Sequence, residues 1–466
     1  MSKTNGSVNA RPELPRLSTG NVQLDEILGG GFPANSINIL MGEPGSGKTI
    51  LAERLMFANA NDDGRPILFL TTLSEPLDKV VRYLQQFSFF DEMKLAGSII
   101  YDSIGEELAE KGVSMLMPRL KEAIKTQKPK IIVIDSFKAI HDLSTSVPEM
   151  RRMLFEVAGL LTAFETTAFF VGEYSADEIA NYPEFAVADG MVQLLRNKLG
   201  TRDERFLRVL KLRGSGYLEG VHAFRITVDG LEVFPRLVSP DRAPDYDIMK
   251  ERVPTGIDGL DKMLGGGVFR GRSTFLLGPT GSGKSTLALQ FVLEGIRRGE
   301  QSMYVSFEEN PTQLDSQIRA LGLDPEDARR KGLRFLYVSP VELQIDSIVA
   351  TIFRAIRDGD IRRVAIDAIG DLLAAANDVH RLHSYLYALS QHFAVSGATS
   401  FFPYETRSDG AHETRLSALA DNVLLLGVEI EKGQGRRTMR VVKARGIEHD
   451  LDVKQLRITA KGVEVS

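Results

Sequence analysis

The 466-residue chain contains no cysteine, which excludes disulfides and thiolate chemistry. No apolar run approaches the ~18 residues that a membrane span needs. The opening "MSKTNGSVNARPELPRLSTG" is polar and lacks the apolar core of a signal peptide, so a cytoplasmic location without a membrane partner is expected. Basic surplus is missing too. Lys and Arg number 57 against 62 Asp and Glu, for a net charge of −5, which is not the footprint of a dedicated nucleic-acid binder. What is present is 43% hydrophobic and 26% charged, the balance of a soluble globular protein, at a length that calls for two domains.

The chain reads as two versions of one plan. "LSTGNVQLDEILGGGF" (17–32) returns as "VPTGIDGLDKMLGGGV" (253–268). Lys48 returns as Lys284, "IIVIDS" (131–136) as "RVAIDA" (363–368), and "KLRG" (211–214) as "KARG" (443–446). Four landmarks in one order at nearly constant spacing identify a tandem duplication, with a repeat too long for a solenoid unit. The join falls in 236–256, rich in Pro, Asp and Arg. The expected organisation is a disordered segment 1–15, a first domain 16–240 and a second domain 241–466.

Within each copy, short apolar runs alternate with helical patterns, which argues for an α/β fold with a mostly parallel sheet flanked by helices. Each copy closes on strands without intervening helices, such as "NVLLLGVEIE" and "TMRVVKAR", which predicts an antiparallel extension at one sheet edge.

Both copies carry Gly, four residues, then Gly-Lys-Ser/Thr, at Gly42–Thr49 and Gly278–Ser285. Glycines permit a turn whose backbone N–H groups point at phosphate oxygens, and the following helix adds unpaired N–H groups and a positive dipole end. Lys48 and Lys284 would meet the β- and γ-phosphates, and the Thr49 and Ser285 hydroxyls would ligate Mg²⁺. Asp135 and Asp367 end apolar strands, where an acid can hold Mg²⁺ through water; taken alone, such an Asp is an ordinary helix cap. In copy two, "VSFEENPTQL" puts Glu308 and Glu309 where a strand runs out, placed to take or orient a proton on the attacking nucleophile. The plainer alternative is a solvated acidic turn opening the helix at Pro311. Copy one has "LTTLSEPLDKV". With Pro76 matched to Pro311, Leu73 and Ser74 take the places of the two acids, and Glu75 matches Asn310. Leu73 cannot take a proton, so the copies share binding chemistry but differ in activating a nucleophile.

The tandem pair, the "TG…LD…LGGG" lead-ins, "SFEE", "AID" and "K-x-RG…HD" together resemble the KaiC family, ATPases and autokinases of the RecA superfamily, over about residues 16–462. The resemblance implies two RecA-like P-loop NTPase domains and a homo-hexameric double ring with ATP and Mg²⁺ between neighbouring subunits. Carried over by position, Gly45, Ser46, Gly47, Lys48 and Thr49, and Gly281, Ser282, Gly283, Lys284, Ser285 and Thr286, would hold nucleotide. Glu308 and Glu309 match the family's catalytic pair, with Glu308 also a candidate Mg²⁺ ligand and Asp367 acting beside them. Lys211 and Arg213, and Lys443 and Arg445, match a basic pair that reaches a neighbour's nucleotide, where a cation in trans stabilises the transferring phosphoryl group; on the residues alone the plainer alternative is a solvated basic strand end. Ser215, Thr227 and His449 match secondary nucleotide contacts. Leu451 stands where the family has a lysine after the His-Asp pair, so one contact is expected to be missing.

The family's second domain carries adjacent Ser and Thr phosphoacceptors. With Asp421 matched to the family's Asp, Ser417 falls at the Ser acceptor and Ala418 at the Thr acceptor, so a two-site cycle is unavailable and Ser417 is a single candidate acceptor. Thr414 is another hydroxyl nearby. The chain stops soon after "RITAKGVEVS", and a KaiA-type partner that grips a long C-terminal tail is not expected; a KaiB-like protein remains a candidate partner. In the family the first domain is itself an ATPase; because this chain departs there at Leu73 and Ser74, its first domain is expected to bind ATP chiefly as structural glue while the second hydrolyses it. Two rival classes fit the same loops: a RecA-type DNA motor, disfavoured because "SFKAIHDLSTSVPEM" and "AIGDLLAAANDVH" are poor in Lys and Arg, and an ATP-stabilised scaffold in which hydrolysis is incidental.

Overall fold

The computed structural model describes residues 14–61, 63–72, 77–144, 146–199, 202–240, 251–339, 344–374, 379–406, 419–431 and 434–466. The chain divides into two compact units, Met1–Arg236 and Leu237–Ser466.

The first unit is built on nine strands: β1 (Ile37–Gly42), β2 (Ile67–Thr71), β3 (Ile99–Ser103), β4 (Ile131–Asp135), β5 (Thr167–Gly172), β6 (Gly190–Leu199), β7 (Arg202–Leu212), β8 (His222–Thr227) and β9 (Gly230–Phe234). Across the sheet the order is β9-β8-β7-β6-β1-β5-β4-β2-β3. The six strands from β3 through β6 run parallel, and β7, β8 and β9 add on antiparallel. The second unit repeats this with β10 (Ser273–Gly278), β11 (Ser302–Ser306), β12 (Leu333–Tyr337), β13 (Arg363–Asp367), β14 (Thr399–Glu405), β15 (Asn422–Glu431), β16 (Gln434–Ala444), β17 (Lys454–Thr459) and β18 (Gly462–Val465), in the order β12-β11-β13-β14-β10-β15-β16-β17-β18. Each sheet is mostly parallel and helix-flanked, with an antiparallel edge, the architecture of two tandem RecA-like domains.

The apolar runs become the central strands because both faces are covered. In β1 and β10 all six residues are buried. Successive residues feed opposite cores: Leu40, Val133 and Phe169 pack on one side of the first sheet, Ile39, Ile134 and Phe170 on the other. Helix α1 (Lys48–Asn59) buries Leu51, Leu55 and Met56 on the first of these faces, and α2 (Lys284–Arg297) buries Leu287, Phe291 and Ile296 in the second unit.

The repeated lead-ins are clamps. Asp25 of "LD" accepts hydrogen bonds from the Thr19 backbone N–H and hydroxyl, both at 2.7 Å. Asp261 does the same with Thr255, at 2.8 Å for both. Arg16 and Arg252 each donate at 2.9 Å to the carbonyl of the last glycine of the "GGG" run, Gly31 and Gly267. At the far edge, a register shift between Met191 and Val192, repeated between Val423 and Leu424, marks a β-bulge in each unit. Among the described residues no helix is long and apolar enough to cross a membrane.

Candidate functional site

Each phosphate loop links a buried parallel strand to a helix, β1 to α1 and β10 to α2. The helices start at Gly47 and Gly283, both with φ of 101° in the left-handed region, where a side chain would be strained. That turn leaves the first N–H groups of α1 and α2 facing the loop, an anion-binding arrangement.

In the first unit a cavity of about 790 Å³ opens on this loop. Its walls include Gly45, Gly47, Lys48, Thr49, Asp135 and Glu173. Thr49 donates its hydroxyl to Asp135 Oδ2 at 2.7 Å. Lys48 donates to the Glu43 carbonyl at 2.9 Å and lies 3.6 Å from Glu173 Oε1. Burial lowers the Lys48 ammonium pKa, partly opposed by Glu173 and Asp135. Burial also raises the Asp135 pKa, against the hydrogen bond from Thr49.

The second unit repeats the arrangement with additions. Ser285 hydrogen-bonds Asp367, and the buried Tyr304 hydroxyl donates to Asp367 Oδ2 at 2.6 Å. Burial raises the Asp367 pKa, and the two hydrogen bonds oppose it. Lys284 turns back onto its own loop, donating to the Gly278 and Pro279 carbonyls, both at 2.9 Å. Burial lowers its pKa, while Glu405, Asp367 and Glu308 all act to raise it, so these three acids converge on the lysine. Glu308 is exposed just past β11, whose Ser306 pairs with Asp367. Glu309 is half-buried. Its backbone N–H donates to Ser306 Oγ, one carboxylate oxygen accepts from Gln317, and the other is buried without a partner. Burial raises its pKa first, then Asp367 and Glu308. Asn310 caps the helix Pro311–Ala320 in a capping box with Gln313, so the capping function falls to Asn310 and leaves Glu308 and Glu309 outside it.

These sites suit a Mg²⁺-bound nucleoside triphosphate. A hydroxyl and a carboxylate provide hard oxygen donors, a lysine lies along the loop's own carbonyls, and the buried hydroxyls of Ser46 and Ser282 within the loops have no hydrogen-bond partner. Lys48 and Lys284 can meet terminal phosphates, and Glu308 and Glu309 can hold or take a proton near them.

The remaining candidates divide. Thr227 ends β8, whose Ile226 lies against Gly47, so it sits at the phosphate-loop end of the sheet. Ser215 instead accepts from Arg16 at 2.8 Å and donates to the Leu28 carbonyl, within the lead-in clamp. His449 makes a contact through Nδ1 with the Ile447 carbonyl, and its Nε2 is buried without a partner. Leu451 is 70% exposed. Lys211 registers with Met191, and Met191 with Ile39, near the start of β1; Lys443 registers with Val423 and so with Phe275 of β10. Arg213 and Arg445 lie beyond, near Asp189 and Asp421. The basic pairs therefore sit at the end of each sheet away from its own phosphate loop. Ser417, Ala418, Thr414 and the copy-one positions Leu73, Ser74 and Glu75 lie outside the described residues.

Four features escaped the sequence reading. Glu173, just past β5, and Glu405, the last residue of β14, follow the strands beside β1 and β10, and "FFVGE" against "FFPYE" is a repeated signal that could have exposed them. Tyr304 is a polar residue inside an apolar strand, and Glu53 stands beside Arg54 on α1; their counterparts are Phe69 and Leu289. Arg437, on β16, donates to the Gly281 carbonyl at 2.7 Å, bringing a cation onto the second phosphate loop from its own unit.

The family described as "ATPase: KaiC" matches residues 17–238 and 253–466. The chain is 30% identical to the "Circadian clock oscillator protein KaiC" of Picosynechococcus sp., covering 100% of this chain and 91% of that protein. It is 28% identical to the "Circadian clock oscillator protein KaiC 1" of Synechocystis sp., covering 98% and 91%. A similar protein of Thermostichus vulcanus is 28% identical over 97% of this chain. Two tandem phosphate-loop units, each matched separately by one family, place the chain in the KaiC family of ATPases.

Proposed function

We propose that the protein hydrolyses ATP with Mg²⁺ in its second unit, transfers phosphate to Ser417 there and removes it again, and uses the first unit mainly to hold nucleotide. The observation that carries this is the convergence of Glu308, Asp367 and Glu405 on Lys284, with Glu309 beside them. Glu308 and Glu309 orient the nucleophile and accept its proton; Lys284 holds the terminal phosphates; Ser285 and Asp367 hold the metal. The chain assembles as a double-ring hexamer in which Lys443 and Arg445 serve a neighbour's nucleotide, and it acts as a clock-type or signalling component with a KaiB-like protein as candidate partner.

The test is ATP turnover together with phosphopeptide mass spectrometry on the wild type and on the Glu308→Gln/Glu309→Gln double variant. Loss of the acid pair should cut turnover by about 100-fold or more. Phosphate should appear at Ser417 in the wild type alone. A double variant that keeps most of its turnover would move the engine to the first unit, and turnover without modified Ser417 would remove the kinase step.

A further inference from the structure

Glu53 is the one acidic side chain on α1, one turn beyond Thr49. Residues four apart share a helix face, and long helical side chains lean back over the preceding turn, so the carboxyl of Glu53 is directed over Thr49. It is only 7% exposed yet lines the cavity that holds Lys48, Thr49 and Asp135. Among the described residues its carboxyl has no hydrogen bond and no ion pair. Burial, and then the charge of Asp135, push its pKa up to about 8. The buried Tyr101 hydroxyl, on the same cavity, also lacks a partner and feels the charge of Glu53.

The second unit solves the same space differently. Leu289 stands for Glu53, and the paired aromatics are exchanged: Phe69 and Tyr101 in the first unit, Tyr304 and Phe335 in the second. There the phenol is spent on Asp367. In the first unit, the cavity bordered by Thr49, Asp135 and Glu173 also has Glu53 in its wall, a buried acid without an ion pair among the described residues. Such a group is costly until a cation or a proton neutralises it.

We propose that Glu53 helps hold the divalent cation of the first unit together with Thr49 and Asp135, and that it slows release of the cation–nucleotide pair there. The inference rests on the reading of the first unit as the nucleotide-holding one. Oxygen donors of this kind suit Mg²⁺, which commonly takes one or two carboxylates along with phosphate oxygens. A bound metal would screen the repulsion between Glu53 and Asp135; the chain's own contribution is a carboxylate on α1, where the second unit has Leu289.

The experiment uses the full-length chain carrying Lys284→Ala, so that nucleotide is read from the first unit. Release of a fluorescent ADP analogue is followed across a Mg²⁺ titration and in EDTA, with Glu53 intact and as Glu53→Gln or Glu53→Leu. Gln keeps the shape, and Leu is what the second unit already tolerates. The Mg²⁺ concentration that half-retains the analogue should rise about tenfold in both variants, with release in EDTA not accelerated. An unchanged Mg²⁺ dependence overturns the proposal, as does faster release that is equal with and without Mg²⁺, which would mean lost packing. If the Lys284→Ala chain with Glu53 intact binds no analogue at all, the holding role of the first unit fails, and the proposal with it.

Discussion

At the scale of single residues, the two sites differ by what touches the metal-side aspartate. Asp135 has Thr49; Asp367 has Ser285 and Tyr304. The Asp367 pKa is raised by burial, so ionising it opposes folding. That cost is absent below the ordinary carboxylate value of about 4 and fully present once the pH exceeds the folded value. The Tyr304 hydroxyl offsets part of it. Tyr304→Phe, which installs the first unit's own residue at this place, should therefore destabilise the nucleotide-free second unit more at high pH than at low. A hydrogen bond to an ionised group contributes about 1.5–3 kcal/mol, against about 1 kcal/mol for a neutral one. Denaturation midpoints near pH 3.5 and pH 8 read the difference, one below and one above the ordinary carboxylate value. A loss that is equal at the two pH values, or larger at the lower, would show that the phenol does not support the charge on Asp367.

At the scale of elements, the phosphate loop is defined by two different demands on glycine. Gly278 ends β10 where a Cβ would lie 2.4 Å from the Leu426 carbonyl oxygen, so space excludes a side chain. Gly281 has φ of 77° and nothing within 4 Å, so conformation alone favours glycine there. Gly278→Ala should push β10 from β15 and cost about 3 kcal/mol, whereas Gly281→Ala should cost about 1 kcal/mol. Unfolding of nucleotide-free protein ranks the two, and the reverse order would refute the packing argument. The sheet was legible in the sequence because strands covered on both faces must be continuous apolar runs, and the repeat of "IIVID" as "RVAID" carried the metal-side acids with it. The lead-ins were legible as a repeat but not as clamps, since the hydrogen bonds from Thr19 to Asp25 join residues whose pairing needs the folded turn. Tyr304 was hidden as one polar residue in an apolar strand, and Glu53 because beside Arg54 it looks like an ordinary charged pair on a helix. Only the register of β11 with β13 brings Tyr304 towards Asp367, and only the folded cavity brings Glu53 to the same wall as Asp135.

At the scale of the whole molecule, the placement of the basic pairs decides which site they can serve. Lys443 registers through Val423 with Phe275, three residues short of Gly278, and Arg445 lies further still from the loop. At ~3.3 Å per residue this sets the Lys443 backbone about 10 Å back along the sheet from the phosphate loop, before counting the sideways step across β15. Lys443 and Arg445 are thus poorly placed for nucleotide in their own unit, and Arg437 is the nearer cation. A head-to-tail assembly turns this into an advantage, since the far end of one subunit's sheet can face the loop of the next. Two inactive variants test it by mixing: Lys443→Ala/Arg445→Ala, which keeps the acids, and Glu308→Gln/Glu309→Gln, which keeps the cations. If the cations act in trans, randomly mixed oligomers contain sites with acids from one chain and cations from another. With equal amounts, half the subunits supply intact acids and half of their neighbours intact cations, so turnover should return to about a quarter of the wild-type rate. If the cations act within their own chain, every subunit is defective whatever its neighbour, and mixing restores nothing.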